Sequence, residues 1–183
     1  MEHTYRSAES ERLPRLTPQA GTAAPRGSGR GSGASGTSHG DGWAHVWFTA
    51  SPEGWSTLVV VPASRSFNVI AVAAALTAAG QTYGHADVQL LDATAVEPGA
   101  IGSFIDTSVR RTANGQKTII AVDSPFDNPA AIAIARNADM AILAVALGTT
   151  KLSEARRTTE IIGHDRFVGA VAIGADGRPD AVR

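Results

Sequence analysis

No cysteine occurs in the 183 residues, which removes disulfides, thiolate metal sites and cysteine nucleophiles together and fits a reducing cytosol. Aromatic residues are scarce at 5%, against a hydrophobic share of 43% dominated by Ala, Val, Ile and Leu. Such a mixture suits β-branched strands packed beneath Ala-rich helices. An excess of one charge is also missing: Lys and Arg number 16 against 17 Asp and Glu, so no global field draws phosphate backbones or anionic lipid, and no nucleic-acid partner is expected. Long apolar runs are absent too. Thr57–Pro62 and Met140–Leu147 fall far below the roughly 20 residues that cross a bilayer. Met1–Arg15 is charged and lacks the apolar stretch of about 7–15 residues found in a secretory signal. A cytoplasmic chain without direct membrane insertion is therefore expected.

The length suits one domain. Residues 1–42 hold few large apolar side chains, and Arg26–Gly42 (RGSGRGSGASGTSHGDG) is a Gly/Ser run that cannot bury enough surface to offset chain entropy. A disordered N-terminal tail over 1–42 and one α/β domain over 43–183 are expected. The tail arginines are few, are balanced by Glu2, Glu9, Glu11 and Asp41, and lack interleaved aromatics, so they read as linker rather than RNA-binding segment. Trp43, Trp47 and Trp55 cluster where the chain enters the domain, as a lid over a core edge or as a partner patch.

Strands and helices then alternate. Thr57–Ala63 (TLVVVPA) reads as a buried strand and Ser66–Gly80 (SFNVIAVAAALTAAG) as an Ala-rich helix stopped by glycine. Val88–Asp92 is the second strand, a helix lies within Pro98–Ala113, and Lys117–Asp123 is the third strand. Asn128 can cap a helix with Pro129 at its first position, running to about Asn137. Met140–Leu147 is the fourth strand. A helix over Lys151–Ile162 follows, with Leu152, Ala155, Thr159 and Ile162 on one face, and Arg166–Ile173 closes the series. This order predicts a doubly wound, mostly parallel five-stranded sheet with helices on both faces, a three-layer sandwich whose ligands bind at the carboxyl ends of the strands.

Polar residues gather at three of those ends: Ala63–Ser66, Asp92–Thr94 and Asp123–Ser124–Pro125. Here VQLLDATAVEPG and the segment from TIIAVDSPFDNP to RRTTEIIG resemble the P-loop domain of the bacterial tyrosine kinases of capsule and exopolysaccharide synthesis. The resemblance spans Thr57 to Ile173 and places Asp92, Asp123–Ser124–Pro125, Ala138–Asp139, Gly148–Thr149–Thr150 and the basic run Lys151–Arg157 at the family's motif positions. It implies a P-loop-like fold, a nucleotide site, and a membrane polysaccharide co-polymerase or chain-length protein as partner, with the chain held at the inner membrane face through that partner.

The departures are as informative. The stretch that should read Gly-x-x-x-x-Gly-Lys-Ser/Thr reads PASRSFNV from Pro62 to Val69, without the glycines whose amides wrap phosphates or the lysine that neutralises them. Ser64 and Ser66 offer hydroxyls, and Arg65 is a poor stand-in for the lysine. The family's second carboxylate on the second strand is replaced by Thr94. The two tyrosines, Tyr5 and Tyr83, make no C-terminal autophosphorylation cluster. A noncatalytic kinase-like subunit is therefore expected, with a homo-oligomer open. Two alternatives remain: an atypical Mg-ATP enzyme using Asp92 and Asp123 as metal ligands with Ser66 beside them, or a Rossmann-like domain binding a small anion at a helix start near Ser64–Ser66. Asp123 also reads as part of a helix-initiating turn without any metal. His45, His85 and His164 show no ligand spacing.

Overall fold

The computed structural model describes residues 39–50, 54–65, 67–84, 87–175, 177 and 179–180. Residues 1–38 of the expected 1–42 tail, with Tyr5, lie outside them, as do Ser66 and His85, while residues 39–42 are helical rather than tail. The first described element is a helix, α1 (His39–Ala50), which begins inside the Gly/Ser run and carries two of the tryptophans.

The expected alternation follows: β1 (Thr57–Pro62), α2 (Val69–Tyr83), β2 (Val88–Ala93), α3 (Ile101–Ala113), β3 (Lys117–Val122), α4 (Ala130–Asn137), β4 (Met140–Ala146), α5 (Leu152–Ile162) and β5 (Phe167–Ile173). A two-residue strand, β6 (Pro179–Asp180), lies antiparallel to the end of β5. The sheet order is β2-β3-β1-β4-β5-β6, and β1 to β5 are all parallel.

Both sheet faces are covered, which is why β1, β3 and β4 read as unbroken apolar runs rather than alternating ones. Leu58 and Val60 point into a cluster with α1 and α2, whereas Val59 and Val61 point into a second one with Ile134 and Ile162. The pleat thus divides one strand between two cores, and the right-handed crossovers put α1 and α2 on one face and α3, α4 and α5 on the other.

The structure differs from expectation in α2 and α5, and it decides for the core-edge reading of the three tryptophans. Gly80 does not stop α2, which starts at Val69 rather than Ser66 and runs on to Tyr83. Gly80 is instead where α1 packs: a Cβ there would lie 2.6 Å from the Trp47 ring. Trp43, Trp47 and Trp55 are all buried, and Trp47 meets Trp55 edge-on at 5.7 Å, so they are core rather than an exposed patch. In α5 the buried face is Ala155, Thr158 and Ile162, while Leu152 is 85% exposed.

Candidate functional site

The chain leaves β1 toward the α2 face, whereas it leaves the neighbouring β3 and β4 toward the opposite face. Such a reversal falls at the carboxyl end of β1, the place where open α/β sheets ordinarily hold ligands. The loops that border it contain Ser64 and Arg65 after β1, Asp123 to Asn128 after β3, and Leu147 to Lys151 after β4.

The loop after β1 is tied to its neighbours. Ala63 N–H donates to Ala144 C=O at 2.8 Å, carrying the ladder past Pro62. Ser64, 7% exposed, pairs its hydroxyl with Thr150 Oγ1 at 3.2 Å, and Thr150 Oγ1 accepts Ala146 N–H. Gly148, at φ +75°, provides the left-handed turn that brings Thr150 back to the strand end. Arg65 reaches Asp127 at 3.2 Å with both side chains in solvent, a pair worth about 0–1 kcal/mol. The helix start expected near Ser64–Ser66 falls at Val69, where Asn68 Oδ1 accepts Ala71 N–H. One amide that an anion would use is thereby occupied.

At β2, Asp92 is exposed and its Oδ1 accepts both Thr94 N–H at 2.9 Å and Thr94 Oγ1–H at 2.7 Å. Thr94, standing where the family resemblance places a second carboxylate, closes a turn around the first. After β3, Asp123 Oδ1 accepts Ser124 N–H at 2.7 Å. Ser124 is fully buried, its Oγ accepts Phe126 N–H, and its carbonyl accepts from Asp127 and Asn128; Pro125 is buried beside it. Asn128 Oδ1 accepts Ala130 N–H while its amide donates to Val96 C=O. Asp123-Ser124-Pro125 therefore builds the entry to α4, as the helix-initiating reading requires.

The register sets Asp92 level with Ala121, so Asp123 stands two residues farther on along the neighbouring chain, a diagonal spacing of about 7–8 Å between backbones. Among the described residues no three His, Asp or Glu side chains converge as a metal site. The basic run after β4 is dispersed: Arg156 pairs with Glu160 at 2.9 Å, and Arg157 lies 5.6 Å from the Phe126 ring. At this rim Ser64 pairs with Thr150, and Asp92 and Asp123 each give one carboxylate oxygen to a neighbouring residue.

No family model, curated protein or solved structure matches this chain. Among the described residues no helix is long and apolar enough to cross a membrane.

Asp139 belongs to the other end of the sheet. Its Oδ2 accepts Ser56 N–H and Thr57 N–H, each at 2.8 Å, and Thr57 Oγ1–H at 3.0 Å, while its own N–H donates to Thr57 Oγ1. Partial burial pushes the carboxyl up, but the three hydrogen bonds outweigh it and hold the group below its ordinary value of 3.8. The motif-like Ala138–Asp139 thus clamps the starts of β1 and β4 together. An acidic residue immediately before a strand, with Ser-Thr before another, is the sequence signal for that clamp.

Proposed function

We propose that this domain is a noncatalytic relative of the exopolysaccharide tyrosine kinases that works by docking a partner. The observation that carries the reading is the loop after β1: PASRSFNV supplies neither the glycines nor the lysine that phosphoryl transfer needs. Ser64 bonds Thr150, and Asp92 and Asp123 each commit one carboxylate oxygen to a neighbouring residue. Electrostatic stabilisation of a transferring phosphoryl group is the largest catalytic contribution such a site makes, and its donors are missing.

The docking surface is placed at the same rim. Leu147 is 45% and Leu152 85% exposed on either side of the Gly148 turn, with Arg156, paired with Glu160, one helical turn farther along α5. Apolar side chains flanked by a cation suit a partner segment that is apolar with acidic edges. The partner proposed is the cytoplasmic part of a membrane polysaccharide co-polymerase or chain-length protein, which would hold the chain at the inner face of the membrane. Co-purification of the full chain with such a protein in mild detergent tests this. Leu152→Asp should abolish recovery while leaving the melting temperature unchanged, and recovery equal to the parent chain overturns the proposed surface.

The strand register favours one second reading, because it sets Asp92 and Asp123 on neighbouring strands within one diagonal step. An atypical Mg-ATP enzyme would use them as metal ligands. That reading stands or falls on magnesium-dependent nucleotide binding.

A further inference from the structure

The amino-terminal end of the sheet differs from the rim in leaving polar groups unsatisfied. A cavity of about 220 Å³ opens there between α3 and α4, beside the start of β1. Its apolar wall is Phe104, Ile105, Ile120 and Ile134, and Ser108, Asn137 and Asp139 supply polar groups. Ser108 is 5% exposed and its hydroxyl has no hydrogen-bond partner, although a helical serine ordinarily bonds the carbonyl one turn back.

Three acceptors are available in that lining. Asp139 uses Oδ2 for all three bonds from Ser56 and Thr57, leaving Oδ1 unused. Asn137 donates its amide to Ala133 C=O and keeps its own carbonyl oxygen, and Ser108 Oγ is the third. No basic residue lines the cavity. Arg136, the nearest cation in sequence, is turned onto the Ile161 and Ile162 carbonyls of α5, Arg110 is turned back onto Asp106 C=O of α3, and Arg166, outside the lining, donates to Ala138 C=O at 3.3 Å. Both α3 and α4 run antiparallel to the strands and end here, and the carboxyl ends of helices favour cations.

We propose that this cavity binds a small primary amine, its ammonium group held by Asp139, Asn137 and Ser108 and its hydrocarbon body lying against Phe104, Ile105 and Ile134. A primary ammonium carries three N–H donors and no acceptor, matching the acceptors of Asp139, Asn137 and Ser108, beside which the lining keeps the second Asn137 N–H and the rotatable hydroxyls of Ser56 and Ser108. The volume equals about seven waters of liquid, enough for a ring or a branched four-carbon chain and too little for a nucleotide. The site is independent of the rim, so loss of either assignment leaves the other standing.

Amide NMR titration of the full chain tests the proposal, with benzylammonium as probe and benzyl alcohol and benzoate as its neutral and anionic counterparts. Shifts should localise to Ser108, Thr112, Asn137 and Asp139, with millimolar affinity for benzylammonium, about ten-fold weaker response to the alcohol and none to benzoate. Ser108→Leu fills the cavity and should remove the response. Asn137→Leu, at an exposed position that leaves the fold intact, should weaken benzylammonium about three- to ten-fold and leave the alcohol unchanged. Equal response to amine and alcohol, shifts at the Ser64 rim, or no shift up to about 50 mM overturns the proposal.

Discussion

Gly80 shows how a single hydrogen in place of a methyl group can set the position of a helix. In an exposed helix, Gly→Ala gains about 1 kcal/mol from reduced backbone freedom. At Gly80 the added Cβ would stand 2.6 Å from Trp47 and 2.9 Å from Val88, so overpacking of about 1–3 kcal/mol prevails. Gly80→Ala should lower the urea midpoint, and a raised midpoint would contradict the packing of α1 on α2. Asp139 makes the complementary case for charge. Its folded-state pKa lies below that of the unfolded chain, so its contribution is complete above the ordinary value of 3.8 and is lost as pH falls through the lower, folded value. Asp139→Asn should cost about 1–2 kcal/mol at neutral pH, reduced by solvent screening, and should flatten the acid limb of a stability-against-pH curve. An unchanged acid limb would show that the Ser56 and Thr57 bonds do not depend on charge.

Among the elements, the strands were legible because a strand buried on both faces is an unbroken apolar run. Thr57–Pro62, Lys117–Val122 and Met140–Ala146 all lie within a residue of where the sequence puts them. Asn128-Pro129 marked the start of α4 because capping chemistry is local. Two elements were not legible. The sequence of α1, HGDGWAHVWFTA, holds two glycines and few strong helix formers, and its helicity rests on burying Trp43, Val46 and Trp47, which is tertiary packing rather than propensity. β6 has two residues and no pattern to read. The rim was half legible: the residues were found, but their bonds to one another were not, since Ser64 and Thr150 are 86 positions apart. Trp47→Ala should expose how much α1 contributes. Losing a ring that packs against Trp55, Gly80 and Gly84 should cost about 3–5 kcal/mol, and a cost under about 1 kcal/mol would mean that α1 is not part of the core.

Across the molecule, the two ends of the sheet have opposite characters. At the carboxyl end, beside the topological reversal at β1, Ser64 bonds Thr150 and Asp92 bonds Thr94. At the amino end, Ser108 has a buried hydroxyl without a partner. We propose that the carboxyl end lacks nucleotide chemistry. Calorimetric titration of the full chain with Mg-ATP and Mg-ADP, beside an Asp123→Ala control, tests it most directly. No binding heat is expected for either nucleotide with either chain; micromolar, magnesium-dependent binding that Asp123→Ala abolishes would contradict this and return the strand ends to phosphoryl chemistry.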